Sequence, residues 1–341
     1  MNKKINKLIF IVCSFLLAFC VVANIGSGIT YSVMFKRVKD IDYSITPGLV
    51  CYEEVKDILP RKEYKYKSNK ETLCGYYYKT SDKKPLIVVS SGYNDVSDSL
   101  ISYHKFFYEN GFNVFSYDNS GSGKSTGKQH GFYQSLVDLE STLNFIKSND
   151  ELNKLPLLLF GYSAGGFAST SIFNIDDYDI LASVSISGYN DANELMTNKG
   201  KEYVGLISYV GLPTINIITN NKYKNYKSYT ATSGINKTNT PFYIVHGTDD
   251  EVISYNKYSI INQKENIYGN CVFEEFSNKT HTSILYDDTA ISYQNEVNEK
   301  LSSIKKHEEK QKYVENIDDA LYSKINYTLA NNVIEFYQKY V

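Results

Sequence analysis

Tryptophan is absent from this sequence of 341 residues, and cysteine, with five residues, is scarce. Cys13 and Cys20 lie in an apolar segment, which leaves Cys51, Cys74 and Cys271 scattered and odd in number. An odd, irregularly spaced set argues against a disulfide framework and matches no metal-binding motif. We therefore predict no metal and no cofactor, and we expect these three cysteines to be small buried side chains.

An excess of positive charge is also missing. The 36 lysine and arginine residues are balanced by 38 aspartate and glutamate residues, for a formal net charge of -2. A nucleic-acid-binding surface needs a basic stripe that follows the phosphate backbone, so the composition predicts no nucleic-acid partner. The hydrophobic share of 42% is enough for a globular protein with one large core or two small ones.

Charge of either sign is absent from one long segment near the N-terminus. The segment Leu8 to Phe35 is uncharged, and lysines flank it on both sides. A run of this length can cross a bilayer as one helix. We predict a signal-anchor or transmembrane segment over residues 1–39, with residues 40–341 outside the cytoplasm, as is usual after a first helix.

A cleaved signal peptide is the alternative for this segment, because Val21 and Ala23 form a passable small-residue cleavage site. Cleavage there would release a secreted protein. The apolar character continues beyond Ala23 to Phe35, which is longer than a secretory core usually runs and favours the uncleaved anchor. A lipoprotein signal ending at Cys20 is disfavoured, since bulky Phe19 stands where a small residue is expected.

Beyond the anchor, short apolar segments alternate with longer amphipathic ones. The predicted strands cover residues 63–67, 72–80, 86–91, 112–118, 156–161, 180–187, 241–247 and 271–276, and predicted helices cover 98–110, 132–148 and 164–173. This alternation is typical of an α/β fold with a doubly wound, mostly parallel sheet covered on both faces. The segment 296–319, rich in lysine and glutamate, is predicted to be a solvated helical excursion.

The glycine-rich stretch NSGSGKSTG, residues 119–127, resembles the end of a phosphate-binding loop. Such a loop requires a glycine five positions before Gly123, because the backbone must wrap the phosphates there. The residue at that position is Asp118, whose carboxylate would repel a phosphate. We therefore predict no nucleotide partner.

A Gly-x-Ser-x-Gly motif occupies Gly161 to Gly165, between an apolar strand and a helix of small residues. In that setting small flanking residues permit a tight turn from which the serine projects. The following helix directs backbone N–H groups and the positive end of its dipole toward any oxyanion formed at this point. Ser163 is therefore the predicted nucleophile.

A serine nucleophile needs a base, and the base needs a third group that holds its tautomer. Asp249 and Asp250 follow one predicted strand, and His281 follows the next. Parallel strands deliver such groups to the same sheet edge, and the order serine, aspartate, histidine is the one that this architecture requires. The other histidines precede the serine, end a strand or lie in a charged run: His104, His130, His246 and His307.

With these motifs the chain resembles the α/β hydrolases of the serine esterase, lipase and acylglycerol-hydrolase kind over roughly residues 43–341. In that superfamily a His-Gly-x segment after a strand supplies one oxyanion donor, and the matching segment here is Ser91 to Tyr93. The resemblance implies an oxyanion hole made of the backbone N–H groups of Tyr93 and Ala164. Serine in place of histidine is a departure, but the donor is backbone.

The resemblance also assigns two other turns. The superfamily's Asp-x-Arg-Gly-x-Gly-x-Ser-x-Gly turn corresponds to Asp118 to Gly127, with Ser120 in place of arginine, so the phosphate-like stretch is a turn near the rim of the site. The family's His-Gly turn matches the segment that begins at His246 and puts Asp250 at the acid position, with Asp249 as the alternative.

Residues 188–240 interrupt the alternation, and insertions at this point commonly form a lid that lines an acyl pocket; an ordinary pair of connecting helices is the alternative. The resemblance implies a serine hydrolase that cleaves carboxylic esters, among them lipid-derived acyl esters, through an acyl-enzyme. Its partners would be a small-molecule or lipid ester and the membrane that holds the N-terminal helix. Thioester, amide or peptide substrates remain alternatives, as does a non-catalytic binding protein with the same fold.

Overall fold

The computed structural model of the protein describes residues 3–38, 41–49, 52–176 and 178–341. Cys51 and the predicted boundary between residues 39 and 40 lie outside the described residues. The chain divides into two compact units. The first unit consists of Met1–Lys36, His130–Tyr133 and Ala192–Ser228, and the second consists of Arg37–Gln129, Gln134–Asp191 and Tyr229–Val341.

The second unit is built on an eight-stranded sheet. Its strands are β1 (Lys62–Ser68), β2 (Glu71–Tyr78), β3 (Leu86–Ser90), β4 (Asn113–Asp118), β5 (Leu157–Tyr162), β6 (Ile180–Ile186), β7 (Phe242–Gly247) and β8 (Cys271–Phe276). The spatial order is β1-β2-β4-β3-β5-β6-β7-β8. β2 pairs antiparallel with β1 and β4, and all pairings from β4 to β8 are parallel. The predicted doubly wound, mostly parallel sheet is therefore confirmed.

The helices along the whole chain are α1 (Lys3–Met34), α2 (Tyr52–Val55), α3 (Ile101–Glu109), α4 (Gln134–Ser148), α5 (Ala164–Ser171), α6 (Ala192–Val204), α7 (Ser208–Tyr223), α8 (Ala231–Asn236), α9 (Asp288–Ser303), α10 (His307–Val314), α11 (Asp319–Tyr322) and α12 (Tyr327–Gln338). Helices of the second unit cover both faces of its sheet. Leu158 and Phe160 of β5 pack in one hydrophobic cluster with α3 and α12. Because successive strand residues point to opposite faces, Leu159 between them points to the other face, and α5 packs against β5.

The predicted strands agree with the observed ones to within two residues at either end. The segment 296–319 is helical over most of its length and largely exposed, in agreement with the predicted solvated helical excursion, and it contains more than one helix. α9 ends at Ser303, α10 covers His307–Val314 and α11 begins only at Asp319. The buried Val297 and Ala290 anchor α9 alone, so charge content by itself did not reveal where the helix breaks.

The first unit contains α1, α6 and α7. Within the described part of the chain, one helix is long and apolar enough to cross a membrane, and it runs over Ile5–Met34 inside α1. α1 packs along α7, so the apolar N-terminal helix and residues 192–228 of the insertion predicted over residues 188–240 share one compact unit. The lid function of the insertion stays a prediction.

Candidate active site

Ser163 lies in a sharp turn between the end of β5 and the start of α5. Its backbone has φ 56° and ψ -114°, a conformation that is costly for a residue with a side chain and that persists only where the surroundings impose it. The two motif glycines allow this turn. A Cβ at Gly161 would clash with the backbone of Gly165, and a Cβ at Gly165 would clash with the backbone of Ser90.

The structure brings Ser163, His281 and Asp250 together in one hydrogen-bonded line. His281 Nε2 lies 2.9 Å from Ser163 Oγ, and His281 Nδ1 lies 2.7 Å from Asp250 Oδ2. All three residues are buried. The aspartate follows β7 and the histidine follows β8, so the carboxyl ends of neighbouring parallel strands deliver both groups to the serine.

Asp250, rather than Asp249, faces the histidine. Asp250 Oδ1 accepts hydrogen bonds from the backbone N–H groups of Val252 at 2.9 Å and Ile253 at 2.8 Å, which aims the other carboxylate oxygen at His281. Asp249 is exposed, and its carboxylate accepts a hydrogen bond from the neighbouring Thr248 hydroxyl. The structure therefore places the preferred acid of the sequence prediction at the histidine and the alternative acid on the surface.

The carboxyl of Asp250 is held in its ionised form. Burial by itself opposes ionisation, but hydrogen bonds with His246 and His281 outweigh it and hold the pKa of Asp250 at about 2. A carboxylate that is charged at neutral pH can fix the Nδ1–H tautomer of His281 and stabilise an imidazolium.

His246 is a second imidazole on the same carboxylate, which the sequence reasoning treated only as a strand end. Its Nε2 lies 3.1 Å from Asp250 Oδ2 and 2.9 Å from the carbonyl oxygen of Ile253. Both neighbours are acceptors, so Nε2 must carry the proton. His246 therefore donates to Asp250 Oδ2, whereas the backbone N–H groups of Val252 and Ile253 donate to Asp250 Oδ1.

The segments that carry the predicted oxyanion donors border the serine. Ala164 is the first residue of α5, directly after Ser163. Gly92, which precedes Tyr93, lies so near that an added Cβ would stand 3.4 Å from Ser163 Cβ. Ser91, where the superfamily has histidine, is buried and receives a long hydrogen bond of 3.4 Å from the Asn119 side chain. The oxyanion role of the backbone N–H groups of Tyr93 and Ala164 stays a prediction.

Comparisons with known proteins give a related family and related folds. Residues 81–226 match the family described as "Serine aminopeptidase, S33". The esterase Pf2001 of Pyrococcus furiosus has a similar structure, with a TM-score of 0.53 at 15% identity over 78% of this chain and 94% of that one. The crystal structure of the α/β hydrolase GrgF from Penicillium gives a TM-score of 0.54 at 17% identity over 72% of this chain and 98% of that one. The chain therefore has the α/β-hydrolase fold.

Similarity in sequence is confined to part of the chain. The chain is 27% identical over 113 residues to a polyketide transferase, grgF, from Penicillium, and 33% identical over 99 residues to the uncharacterized protein YfhR of Escherichia coli. These segments span 38% and 34% of the two relatives, so the chain covers little more than a third of the length of the curated relatives it matches. The similarity in fold to solved structures therefore extends over a far larger part of the chain than the similarity in sequence to these relatives.

Asp95 and Tyr162 are two further groups beside the α/β-hydrolase site, and the sequence reasoning missed both. Asp95 is partly buried, and its Oδ2 would lie 2.8 Å from a Cβ at Gly92, the glycine that also borders Ser163. Burial raises the pKa of Asp95 to about 6, although the charge of His281 acts in the opposite direction. Tyr162 donates its hydroxyl to the His281 carbonyl oxygen at 3.1 Å and places its ring 5.3 Å from the imidazole.

The glycine-rich turn after β4 is filled by its own carboxylate. Asp118 accepts hydrogen bonds from the backbone N–H of Lys124 at 2.8 Å, from the backbone N–H of Ser97 at 2.9 Å and from the Tyr76 hydroxyl at 2.6 Å. The Lys124 ammonium pairs with Glu63. Asp118, which stands where a phosphate-binding motif requires glycine, therefore accepts the hydrogen bonds that hold this turn together.

Cys74 and Cys271, the described cysteines of the second unit, do not have activated thiols. Cys74 is buried as predicted, and burial raises the pKa of its thiol. Cys271 is only partly buried, and desolvation raises the pKa of that thiol to about 12. Among the described residues, no group of three or more His, Cys, Asp or Glu side chains is arranged to hold a metal ion.

Proposed function

We propose that the chain is a serine hydrolase that cleaves carboxylic esters through an acyl-enzyme intermediate. The observation that carries this proposal is the hydrogen-bonded line from Asp250 through His281 to Ser163, with distances of 2.7 Å and 2.9 Å. Such a line activates a hydroxyl that is otherwise a weak nucleophile, because a base stands within reach of its proton.

In the proposed first half-reaction, Ser163 Oγ attacks the ester carbonyl carbon while His281 Nε2 takes the hydroxyl proton. The carbonyl oxygen becomes an oxyanion that accepts hydrogen bonds from the backbone N–H groups of Tyr93 and Ala164. Asp250 stays ionised and stabilises the imidazolium. When the carbon–oxygen bond breaks, His281 gives its proton to the leaving alcohol and an acyl-serine remains.

In the second half-reaction, water attacks the acyl-serine carbonyl and gives a proton to His281 Nε2. The tetrahedral intermediate uses the same two backbone donors. Its collapse returns the proton to Ser163 Oγ and releases a carboxylic acid. The net reaction consumes one ester and one water, yields one acid and one alcohol, and needs no cofactor.

Carboxylic esters, including lipid-derived acyl esters, are the proposed substrate class. The esterase Pf2001 supports this choice through its fold alone, and the matched family and the polyketide transferase leave amide, peptide, thioester and acyl-transfer reactions as outcomes of the test. A series of p-nitrophenyl esters of increasing acyl length, measured as kcat/KM, tests the class. Hydrolysis of amides with no turnover of any ester would overturn it.

A non-catalytic protein with this fold is the competing function. A fluorophosphonate probe separates the two, because it labels only a serine whose hydroxyl is activated. We expect labelling of the full chain and none of Ser163→Ala. The buried Ser187, which also follows a strand of the sheet with a positive φ of 51°, provides a matched control, and Ser187→Ala should label normally.

We further propose that α1 is an uncleaved membrane anchor and that the hydrolase unit lies outside the cytoplasm. The candidate cleavage site at Ala23 lies inside a continuous helix, and the next residue, Asn24, makes hydrogen bonds to α7. Proteolytic processing favours exposed loop segments over packed helix. The length and apolar composition of α1 support the anchor.

Three measurements test the anchor and its orientation. The mass of the protein recovered from membranes should include residues 1–23, and alkaline carbonate should fail to extract it. Protease added outside intact cells should digest the hydrolase unit. A soluble protein that begins at Asn24 would overturn the anchor without bearing on catalysis.

A further inference from the structure

α7 is joined to the apolar helix α1 by a polar side chain in the middle of the apolar run. Asn24 Nδ2 donates to the carbonyl oxygen of Val210 at 2.9 Å and to that of Cys20 at 2.8 Å. Asn24 Oδ1 accepts a hydrogen bond of 2.9 Å from the Thr214 hydroxyl. An amide without partners is costly in hydrocarbon, so the contact with α7 makes asparagine tolerable in a membrane helix.

Small residues let the two helices approach closely on either side of Asn24. A Cβ at Gly211 would clash with the side chain of Ser27, and a Cβ at Gly28 would stand 3.4 Å from the Thr214 methyl group. Close packing over small residues, with a hydrogen bond across the interface, is the way helices associate in membranes.

The contacts give the direction of α7 along α1. Asn24 meets Val210, Ser27 meets Gly211 and Gly28 meets Thr214, so residue numbers rise together and the helices are parallel. The start of α7 therefore lies nearer to the N-terminal part of α1, and its end lies nearer to the C-terminal part.

The length of α1 gives the depth of that start. A hydrocarbon core about 30 Å thick takes about 20 helical residues at about 1.5 Å each. Counted from Leu8, the first residue after the N-terminal lysines, such a span ends near Ser27. Ser27 contacts Gly211, so this glycine lies close to the far boundary of the hydrocarbon, and tilt of α1 would bring α7 deeper.

The residues that precede Gly211 are suited to that boundary. Leu206, Ile207 and Tyr209 expose 72%, 56% and 45% of their surface. At the other end of α7, Asn220, Asn221 and Lys222 are exposed, and the exposed Ile217 lies between the two ends. The exposed side chains are thus large and apolar just before and at the start of α7 and polar in its last turn, and the first group includes a tyrosine, which favours membrane interfaces.

We propose that Leu206, Ile207 and Tyr209 form a membrane-inserted tip, which dips into the phospholipid bilayer that α1 spans and makes a second membrane contact for the chain. The inference rests on the anchor proposed above. A bilayer is the occupant because the contacts of Asn24 and Ser27 hold the start of α7 against α1, at the depth where the apolar surface of α1 meets the headgroups. A cluster of large exposed apolar residues marks an interaction surface.

The lack of tryptophan makes a direct test possible, since one introduced tryptophan is the only indole in the chain. The full chain is reconstituted in phosphatidylcholine vesicles with bromine at a shallow or a deep acyl position, and bromine quenches indole that it contacts. The tip variants are Leu206→Trp and Ile207→Trp. Phe15→Trp in the middle of α1 reports the anchor, Asn221→Trp reports the polar end of α7, and Tyr268→Trp, 84% exposed in the hydrolase unit, reports water.

We expect both tip variants to lose most of their emission, with more loss in shallow-bromine than in deep-bromine vesicles, and Phe15→Trp to show the opposite ranking. Asn221→Trp and Tyr268→Trp should emit as they do without bromine. Circular dichroism checks that each variant is folded. Quenching of Phe15→Trp with both tip variants unquenched would overturn the tip and leave the anchor intact. An unquenched Phe15→Trp would overturn the anchor and the tip together, while fluorophosphonate labelling would still decide the catalytic proposal separately.

Discussion

Asp250→Asn is the most informative single change in the proposed triad, because it alters chemistry with almost no change in shape. The asparagine can keep its oxygen toward the backbone N–H groups of Val252 and Ile253, which donate to Asp250 Oδ1. Its amide N–H₂ then faces His281 Nδ1 in place of Oδ2. An N–H donor opposite Nδ1 requires the histidine to accept there, so the ring proton moves to Nε2.

A proton on Nε2 blocks the first step, since Nε2 is the atom that must accept the Ser163 proton at 2.9 Å. Rotating the asparagine amide by 180° does not restore the tautomer, because its N–H₂ group would then face the backbone N–H donors of Val252 and Ile253. His246 adds to the conflict, since its Nε2–H donates to the same carboxylate oxygen. We expect kcat to fall by about 10⁴-fold, the loss known for this change in a Ser-His-Asp triad, which corresponds to about 5 kcal/mol of activation free energy.

Asp250→Asn should also change how the free energy of unfolding depends on pH. The folded pKa of Asp250, about 2, lies below the ordinary value of 3.8 for an aspartate, so the ionised carboxylate stabilises the fold by about 2 kcal/mol. A lowered folded pKa means that this contribution is complete above about pH 4 and is lost as pH falls toward 2. The difference in unfolding free energy between the parent and Asp250→Asn should therefore shrink over that range.

Steady-state hydrolysis of one p-nitrophenyl ester, with urea unfolding of the same preparations, measures both effects. Asp249→Asn is the matched control, because it changes the neighbouring carboxyl, which is exposed. It should leave kcat within a few fold and stability nearly unchanged. The reasoning is refuted if Asp249→Asn loses more activity than Asp250→Asn, or if Asp250→Asn retains full turnover.

Three further predictions concern the nucleophile with its base, a partly buried acid and the glycine-rich turn. Ser163→Ala and His281→Ala should each abolish ester turnover, and the double variant should be hardly worse than either, whereas additive losses in kcat would contradict a triad. Asp95 has a folded pKa of about 6, above the ordinary value of 3.8 for an aspartate, so its ionisation should destabilise the fold by about 3 kcal/mol as pH rises from 4 to 6, and urea unfolding of Asp95→Asn should lack that decline. Lys124→Ala should keep ester hydrolysis, whereas Gly123→Val should impair folding, because φ is +47° there and an added Cβ would clash with Asp118; saturable ATP binding that disappears in Lys124→Ala would contradict this role of the turn.

Much of the fold followed from local pattern. The alternation of apolar strands and helices reports side chains that face a core, and each such segment carries its own periodicity, so the strand positions agree with the structure. The nucleophile turn was visible for the same reason. Gly161, Ser163 and Gly165 are neighbours in the chain, and the sterics that require glycine there involve Gly165 itself and one strand beside it.

The sequence by itself determined the α/β alternation, the serine at its turn, the strand ends that carry Asp250 and His281, and a helix long enough for a bilayer. Only the tertiary structure distinguished Asp250 from Asp249 and showed that His246 and Asp95 lie beside the site. It also showed that the segment 296–319 contains separate helices and that α1 packs along α7. Each of these results depends on contacts between residues far apart in the chain, such as Asn24 with Thr214, and on which way a side chain points from its turn. Adjacent aspartates have the same local propensity, so only the backbone donors and imidazoles that surround one of them give it a different environment.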